Sequence, residues 1–190
     1  FPYTTLFRSE KREMADAVSD YIPERCTVFI TIGTTVEAVA RALLGRQDLR
    51  IITNSLRVAQ ILYKNQDLEV MVPGGMLRSH NGGIVGPGTV SFVEGFRADY
   101  LITSVGAIEN DGTLLEFDVN EATVAKTMMA HARHTLLVAD HTKFHASAAV
   151  SIGNARKVKA FFTDKQPPAA FRQLLEEDKV ELVIAEDDVN

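Results

Sequence analysis

The sequence is poor in cysteine and has no excess of positive charge. Cys26 is the one cysteine among 190 residues, so no disulfide framework can form, and we expect a reducing, cytoplasmic setting. The sequence contains 20 Lys and Arg residues and 25 Asp and Glu residues, which gives a formal net charge of -5. This balance argues against nucleic-acid binding as the main function of the chain, although it leaves room for a local basic patch.

Long apolar runs are also absent, although 46% of the residues are hydrophobic. No run approaches the ~20 residues that cross a bilayer, and no signal-peptide pattern occurs. We therefore expect no membrane partner. The length suits one domain with a substantial core, because a chain of this size buries roughly 70% of its unfolded surface.

The first nine residues, F-P-Y-T-T-L-F-R-S, show no clear period and no helix cap. The codons TTT-CCC-TAC-ACG-ACG-CTC-TTC-CGA-TCT spell them, and this string is part of a common sequencing-library adapter. We therefore expect residues 1–9 to be a translated artefact fused to a truncated reading frame, followed by one domain over residues 10–190. An unrelated codon string in the source DNA would contradict this expectation.

Strand-like and helix-like patterns alternate along nearly the whole chain. Helical spacing of apolar residues predicts helices over 10–22, 35–44, 55–64, 89–95, 120–134 and 167–178. Short apolar runs predict strands over 26–32, 49–53, 68–72, 100–105, 135–139, 158–163 and 180–185. This alternation predicts an α/β fold with a largely parallel sheet flanked by helices.

Two local details accompany this pattern. Asn120 is expected to cap the helix over 120–134, whose buried side includes Met128, Met129 and Ala132. The Gly-rich stretch 76–88 predicts a loop or a short hairpin, because apolar residues flank it closely.

Small polar residues follow the carboxyl ends of the predicted strands, where ligands bind in open parallel sheets. Such turns offer free N–H groups and hydroxyls, and a helix N-terminus adds about +0.5 charge, which together suit a phosphate or another anion. One such turn alone is better explained as a helix cap, and only the set of turns at one sheet edge makes a ligand site an equal alternative. The ends read I-G-T-T (32–35), T-N-S-L (53–56), P-G-G (73–75), S-V-G-A (104–107), A-D-H-T-K-F (139–144) and T-D-K (163–165).

Other kinds of site find little support. A P-loop is absent, and the run G-P-G-T-V-S at 86–91 lacks the last glycine of a dinucleotide fingerprint. His131 with His134, and His141 with His145, have spacings that permit a metal site, but no tight cysteine or carboxylate set joins them. No nucleophile elbow occurs. We therefore expect no metal, no cofactor and no catalytic residue.

An acidic cluster follows a strong turn signal at 110–112 and consists of Glu116, Asp118 and Glu121. Solvated charge and the preference of acidic residues for helix starts explain it without a ligand. Binding of sugar hydroxyls is the functional interpretation, and both stay open at this point.

Several runs together resemble the sensor domain of DeoR-type bacterial transcriptional repressors, over residues 11–184. These runs are F-I-T-I-G-T-T-V-E-A-V-A-R-A-L-L, I-I-T-N-S-L, V-P-G-G-M-L-R, G-G-I-V-G, F-R-A-D-Y, D-H-T-K-F and F-F-T-D. Within the family, E-A-V-A-R-A-L-L, R-S-H-N-G-G-I-V-G and D-G-T-L-L-E-F-D look most like the glycerol-3-phosphate regulon repressors.

The resemblance implies the fold shared by ribose-5-phosphate isomerase, glucosamine-6-phosphate deaminase and CoA-transferases. It implies a phosphorylated sugar or polyol as effector, with sn-glycerol 3-phosphate as first candidate, and an oligomeric repressor whose operator binding the effector weakens. Family members carry an N-terminal winged helix-turn-helix that this sequence lacks, so we expect the chain alone not to bind operator DNA specifically. Two alternatives remain: a sugar-phosphate isomerase or deaminase, with Glu116, Asp118 or Asp140 as base, and an inert oligomerisation module.

The resemblance also implies site residues. Its phosphate loops correspond to Gly33, Thr34, Thr35, Thr53, Asn54, Ser55, Gly74, Gly75, Gly82, Gly83, Gly86 and Lys143. The hydroxyl side corresponds to Glu116, Asp118, Glu121, Lys126 and Asp140, to which the strand-end argument adds Gly106. The family often has E-A-E-V-K-R where this chain has E-A-T-V-A-K at 121–126. Lys126 therefore lies one position later than the basic residue of the family motif, which is ~100° around a helix. This shift weakens its assignment to the effector site.

Overall fold

Six α-helices lie in the part of the chain that the computed structural model describes, residues 2–185, with side chains from Lys11 onward. Short 3-10 turns occur at Leu43–Gly45, His141–Phe144 and Ala155–Lys157. Within the described residues, no helix has the length and apolarity that a bilayer crossing requires. The helices are α1 (Pro2–Tyr21), α2 (Thr34–Ala42), α3 (Leu56–Leu62), α4 (Pro87–Glu94), α5 (Val119–Ala130) and α6 (Ala169–Glu177).

The strands of the described residues form one large sheet and two small ones. Seven of them pair in the order β12-β11-β9-β6-β1-β2-β3, and every neighbouring pair is parallel. This confirms the predicted parallel α/β sheet. The strands are β1 (Thr27–Ile30), β2 (Leu49–Thr53), β3 (Leu68–Met71), β4 (Met76–Leu77), β5 (Ile84–Val85), β6 (Ala98–Thr103), β7 (Ala107–Ile108), β8 (Thr113–Glu116), β9 (Ala132–Val138), β10 (Val150–Asn154), β11 (Ala160–Thr163) and β12 (Glu181–Ile184).

The central strand β1 shows why both faces of the sheet are covered. Its side chains alternate in direction, as the pleat requires. Val28 and Ile30 pack in the cluster that contains buried residues of α1, α2 and α3. Phe29 packs on the opposite face, with Val93 of α4 and Val124 of α5. A strand that is buried on both faces reads as a continuous apolar run, and this is how β1 appears in the sequence.

The strand order reverses beside β1. The chain runs from β1 to β2 and β3 on one side, then returns to β6, β9, β11 and β12 on the other. β1 therefore pairs with β2 and with β6 at once. The segments that follow β1 and β6 leave the sheet in different directions, which opens a crevice at this switch point.

A second sheet was not predicted from the sequence. β7, β8 and β10 form an antiparallel three-stranded sheet, and only the turn at 110–112 between β7 and β8 was expected. Strands of two to five residues are too short for a reliable period of two. The predicted hairpin in the Gly-rich stretch is confirmed as the antiparallel pair β4 and β5.

The bounds of α5 differ from the prediction at both ends. Asp118, not Asn120, is the cap, and its carboxylate accepts hydrogen bonds from the amides of Asn120 and Glu121 at 2.9 and 3.1 Å. The helix ends at Ala130, and Ala132 begins β9 instead of lying on a helix. Pairing with β6, which sets Ala132 opposite Ala98, overrides the local helical pattern.

Helix α1 begins earlier than predicted. It starts at Pro2 and not near residue 10, because extending a formed helix requires no new nucleation. Phe1 and the side chains of residues 2–10 lie outside the described part of the chain. The expected adapter origin of residues 1–9 therefore stays a prediction about the DNA.

Gly75 provides a test of the turn before β4. Its φ is +158°, and a Cβ there would lie 2.4 Å from the Thr89 hydroxyl and 2.7 Å from the Val85 carbonyl oxygen. We expect Gly75→Ala to lower the free energy of unfolding by roughly 1–3 kcal/mol. Gly45→Ala is the control, because a Cβ at Gly45 meets nothing within 4 Å. Urea unfolding measures both, and equal losses would contradict the prediction.

Candidate functional site

A cavity of about 170 Å³ lies in the crevice beyond the carboxyl ends of β1 and β6. Just below it, the hydroxyl oxygens of Thr31 and Thr103 lie 3.0 Å apart and join the two strands where their loops separate. The structure brings seven of the sequence-predicted site residues around this cavity: Gly33, Thr34, Thr35, Gly106, Glu116, Glu121 and Lys143.

The Gly33 turn leaves the first amides of α2 without a side-chain cap. Gly33 is the N-cap, with φ 127° and ψ 155°, and no side chain accepts a hydrogen bond from the helix start. The backbone bond from the Glu37 amide to the Gly33 carbonyl, at 3.0 Å, closes the first turn. This φ favours glycine, since L side chains rarely adopt it. Uncapped amides and the helix dipole make this turn suitable for an anion.

Lys143 is brought to the cavity by a turn that two buried carboxylates hold. Asp140 accepts hydrogen bonds from the amide of Thr142 at 3.0 Å and from its hydroxyl. Asp164 accepts from the amide of His141 at 2.7 Å, and the His141 ring Nδ1 lies 2.6 Å from the other carboxylate oxygen. Asp140, expected on the hydroxyl side of the effector, therefore supports the turn that carries Lys143.

Glu116 and Glu121 contribute carboxyl groups to the same cavity. Burial, and secondarily the charge of Glu121, raise the pKa of Glu116 from 4.5 to about 7, while Lys143 opposes the shift. The side chain of Glu116 is therefore accessible in both its protonated and its ionised form near neutral pH. In one state it can donate a hydrogen bond to a ligand, and in the other it can accept one.

Asn54 lies in the floor beneath the cavity. It is 2% exposed and lines a small enclosed space together with Glu116 and Glu121. Its Nδ2 donates to the Ile84 carbonyl at 3.2 Å, whereas its Oδ1 has no hydrogen-bond partner among the described residues. A buried acceptor without a partner is costly, and a ligand hydroxyl or a water would satisfy it.

The neighbours of Asn54 have structural roles. Ser55 caps α3 by accepting from the Val58 amide at 3.2 Å, and the Thr53 hydroxyl accepts from the Ser55 amide at 3.0 Å. In the predicted T-N-S loop, Asn54 therefore lies beneath the site, whereas the hydroxyl groups of Thr53 and Ser55 hold the backbone in place.

The loop over 78–83 is fastened to the start of α5. Arg78 contacts Asp118 at 3.1 Å, and the Asn81 side-chain amide donates to Glu121 at 2.7 Å. The Glu121 amide, and in second place Arg78, lower the pKa of Asp118 below its ordinary value. Asp118 is thereby engaged as a cap and an ion-pair partner, whereas Glu121 faces the cavity.

Some predicted residues lie elsewhere. Gly83 backs the cavity wall, since a Cβ there would lie 3.2 Å from Ile32, and Gly82 lies against Arg57. Lys126 is on an outward face of α5 and lines a separate groove. The remaining glycines, which do not line the cavity, are at the base of the β4–β5 hairpin and at the start of α4: Gly74, Gly75 and Gly86.

The sequence-based prediction missed five residues of the cavity wall: Ile32, Asn81, Ser104, Val105 and Phe117. Ser104 belongs to a strand end that had been recognised, so its position was a usable signal. Asn81 stands next to two glycines, which hide it among turn residues. Phe117 is 65% exposed, and nothing in its local sequence indicates a role.

The histidine spacings do not mark a metal site in the described part of the chain. No group of three His, Cys, Asp or Glu side chains there could hold a metal ion. His141 is held by Asp164, and the ring of His131 lies 2.9 Å from the Thr127 carbonyl oxygen.

Comparison with known proteins adds the family. The profile described as the DeoR C terminal sensor domain matches residues 7–165. This chain belongs to that family. The chain is 67% identical over 179 residues to the HTH-type transcriptional repressor CsqR of Escherichia coli (strain K12), and the match covers 94% of this chain and 69% of that protein. It is 43% identical over 173 residues to the glycerol-3-phosphate regulon repressor of the same strain, covering 91% and 69%.

Solved structures confirm the fold that the resemblance implied. Ribose 5-phosphate isomerase A from Methanocaldococcus jannaschii has a TM-score of 0.54 at 12% identity, covering 72% of this chain and 54% of that chain. Translation initiation factor eIF-2B from Pyrococcus horikoshii OT3 has a TM-score of 0.52 at 19% identity, covering 73% and 48%. At such identities the likeness concerns the fold alone.

Glu116 predicts a pH dependence of stability. Its proton is held more tightly in the folded sensor domain, so the contribution is present below about pH 4.5 and is lost as the pH rises through about 7. We expect Glu116→Gln to remove this loss, which is up to about 3 kcal/mol at ~1.4 kcal/mol per pKa unit. Urea unfolding from about pH 5 to about pH 8 measures the slope. Glu94→Gln, at an exposed position, is the control, and equal slopes in both variants would contradict the prediction.

Proposed function

We propose that this chain is the effector-sensing domain of a bacterial transcriptional repressor and that its effector is a small phosphorylated sugar or polyol. The observation that carries the proposal is the switch-point cavity, where the uncapped start of α2 and Lys143 meet two carboxyl groups. sn-Glycerol 3-phosphate is the first compound to test, because a relative at 43% identity is named for it. The chain is more similar to CsqR, at 67% identity, and that name states no effector. Other small phosphate esters therefore belong in the panel.

The two ends of such a ligand match the two sides of the cavity. The phosphate would accept hydrogen bonds from the amides at Gly33–Thr35 and a charge-assisted bond from Lys143. The hydroxyls would donate to Glu121 and to the unpartnered Oδ1 of Asn54, with Glu116 donating or accepting according to its protonation.

The volume favours a short ligand. A cavity of about 170 Å³ is well below the range of about 300–1,000 Å³ that is usual for drug-sized molecules. A short polyol phosphate is the size class that this space favours, and larger sugars would require the loop over 78–83 to move.

The same contacts suggest how binding becomes a signal. Glu121 holds Asn81, and Asp118 holds Arg78, so a ligand that engages Glu121 competes with the fastening of this loop. An effector shifts the equilibrium only if it binds the two loop arrangements with different affinity. In the full-length, oligomeric repressor, this difference would weaken operator binding in the cytoplasm.

A second function is favoured by one observation. A carboxyl whose pKa is raised to about 7, as for Glu116, is suited to general acid–base chemistry. A sugar-phosphate isomerase or deaminase is therefore the alternative. Turnover of ribose 5-phosphate that Glu116→Gln abolishes would support it, and we expect no turnover.

Calorimetry decides the ligand class. The panel is sn-glycerol 3-phosphate, ribose 5-phosphate, glucose 6-phosphate, glycerol and inorganic phosphate. We expect at least one phosphate ester to bind more tightly than inorganic phosphate, because it engages both sides of the cavity, and we expect glycerol not to bind. Absence of binding by every phosphate ester at millimolar concentration would contradict the proposal.

Lys143 carries the charged contact, and its removal tests the phosphate site. We expect Lys143→Met to weaken the binding of that ester about tenfold or more, which corresponds to about 1.4 kcal/mol. Lys64→Met, at an exposed position after α3, is the matched control and should bind as the unaltered chain does. Unchanged affinity in a variant that combines Thr34→Ala with Lys143→Ala would contradict the phosphate site, because the ester would then bind elsewhere.

A further inference from the structure

A lysine of α1 reaches the anion-binding turn from outside the cavity. The Nζ of Lys11 donates a hydrogen bond of 3.2 Å to the hydroxyl of Thr34, across 23 positions of sequence. Thr34 is the first residue of α2. It lines the cavity and also the adjoining groove between α1 and α2, which Lys11 lines as well. Lys11 and Lys143 therefore approach the same turn by different routes.

Lys11 has no carboxylate partner within residues 11–185. Asp16, the nearest acid on the following turn of α1, lies 4.0 Å from Arg12 instead. The ammonium of Lys11 thus directs one donor to a neutral hydroxyl and keeps two for another acceptor. A long, flexible side chain in this position can rotate toward an anion that binds at the turn.

The charge balance of the site calls for a second cation. A phosphate monoester carries about -1.5 to -2 at neutral pH, whereas Lys143 and the dipole of α2 together supply about +1.5. Glu121 adds negative charge to the cavity, although Arg78, at 3.9 Å, partly offsets it. With Lys11 included, the positive charge at the turn rises to about +2.5, from which the cavity carboxylates subtract.

A separate observation beside the helix N-terminus is the side chain of Asn54. The Oδ1 of Asn54, in a side chain that is 2% exposed, has no partner among the described residues and lies beneath the cavity. The ligand site therefore does not depend on the helix N-terminus alone.

We propose that Lys11 is a second cation of the effector's phosphate site and that its engagement ties α1 to the occupancy of the cavity. The inference rests on the proposed function. Helix α1 packs on α2 through Met14, Ala15 and Val18, and Lys11 lies one turn before Met14, at the end of this packed face near the cavity. Without ligand, this end of α1 is held beyond the packed face by the exposed hydrogen bond between Lys11 and Thr34. Phosphate binding by Lys11 then fixes it more firmly.

Affinity provides the first test. We expect Lys11→Met to weaken binding of inorganic phosphate and of sn-glycerol 3-phosphate about tenfold, and Lys11→Arg to retain affinity, because it retains the charge. Arg12→Met removes an equal charge at the next position of α1 and should change the affinity by less than about twofold. Equal urea midpoints for Lys11→Met and Arg12→Met would show that the helix itself is intact.

Amide hydrogen exchange provides the second test. At saturating sn-glycerol 3-phosphate, we expect the α1 amides of residues 11–21 to exchange more slowly in the unaltered chain, and the slowing to be lost in Lys11→Met at equal occupancy. Ligand binding that Lys11→Met leaves unchanged, or equal protection in both proteins, would overturn the inference and leave the proposed function standing. Failure of the unaltered chain to bind either probe would remove both.

Discussion

The simultaneous pairing of β1 with β2 and with β6 is the constraint on which the site depends. Because the chain leaves β1 on one side and β6 on the other, their loops cannot pack against each other, and the space between them stays open. The Thr31–Thr103 hydroxyl contact closes the sheet immediately below. The uncapped start of α2 and the turn that carries Lys143 both border this opening.

The carboxyl groups around the site have two different roles. Asp118, Asp140 and Asp164 accept hydrogen bonds from backbone amides and hold turns in place. Glu116 is half-buried, and its partial burial, followed by the charge of Glu121, raises its pKa to about 7. The first group holds the turns of the scaffold, whereas the carboxyl groups of Glu116 and Glu121 line the cavity, where a ligand can reach them.

Much of the fold was predictable from local patterns. The alternation of strands and helices, the Gly33 turn and the D-H-T-K-F turn all lie where the sequence indicated. The short strands β7, β8 and β10 were missed, and the segment at Ala132 was assigned to a helix although it pairs with Ala98 in β6. Such errors have one cause, because pairing partners distant in sequence outweigh local preference in short segments.

The sequence by itself determined the α/β class and the positions of the turn glycines, because periodicity and turn chemistry are properties of neighbouring residues. The resemblance of its motifs to a known family indicated the family. Only the tertiary structure decided that Asp140 supports a turn while Glu116 faces the cavity, that Asn54 has an unpartnered oxygen and that Lys11 reaches Thr34. These properties arise from burial and from contacts between distant segments, and no local pattern encodes desolvation or a contact across 23 positions.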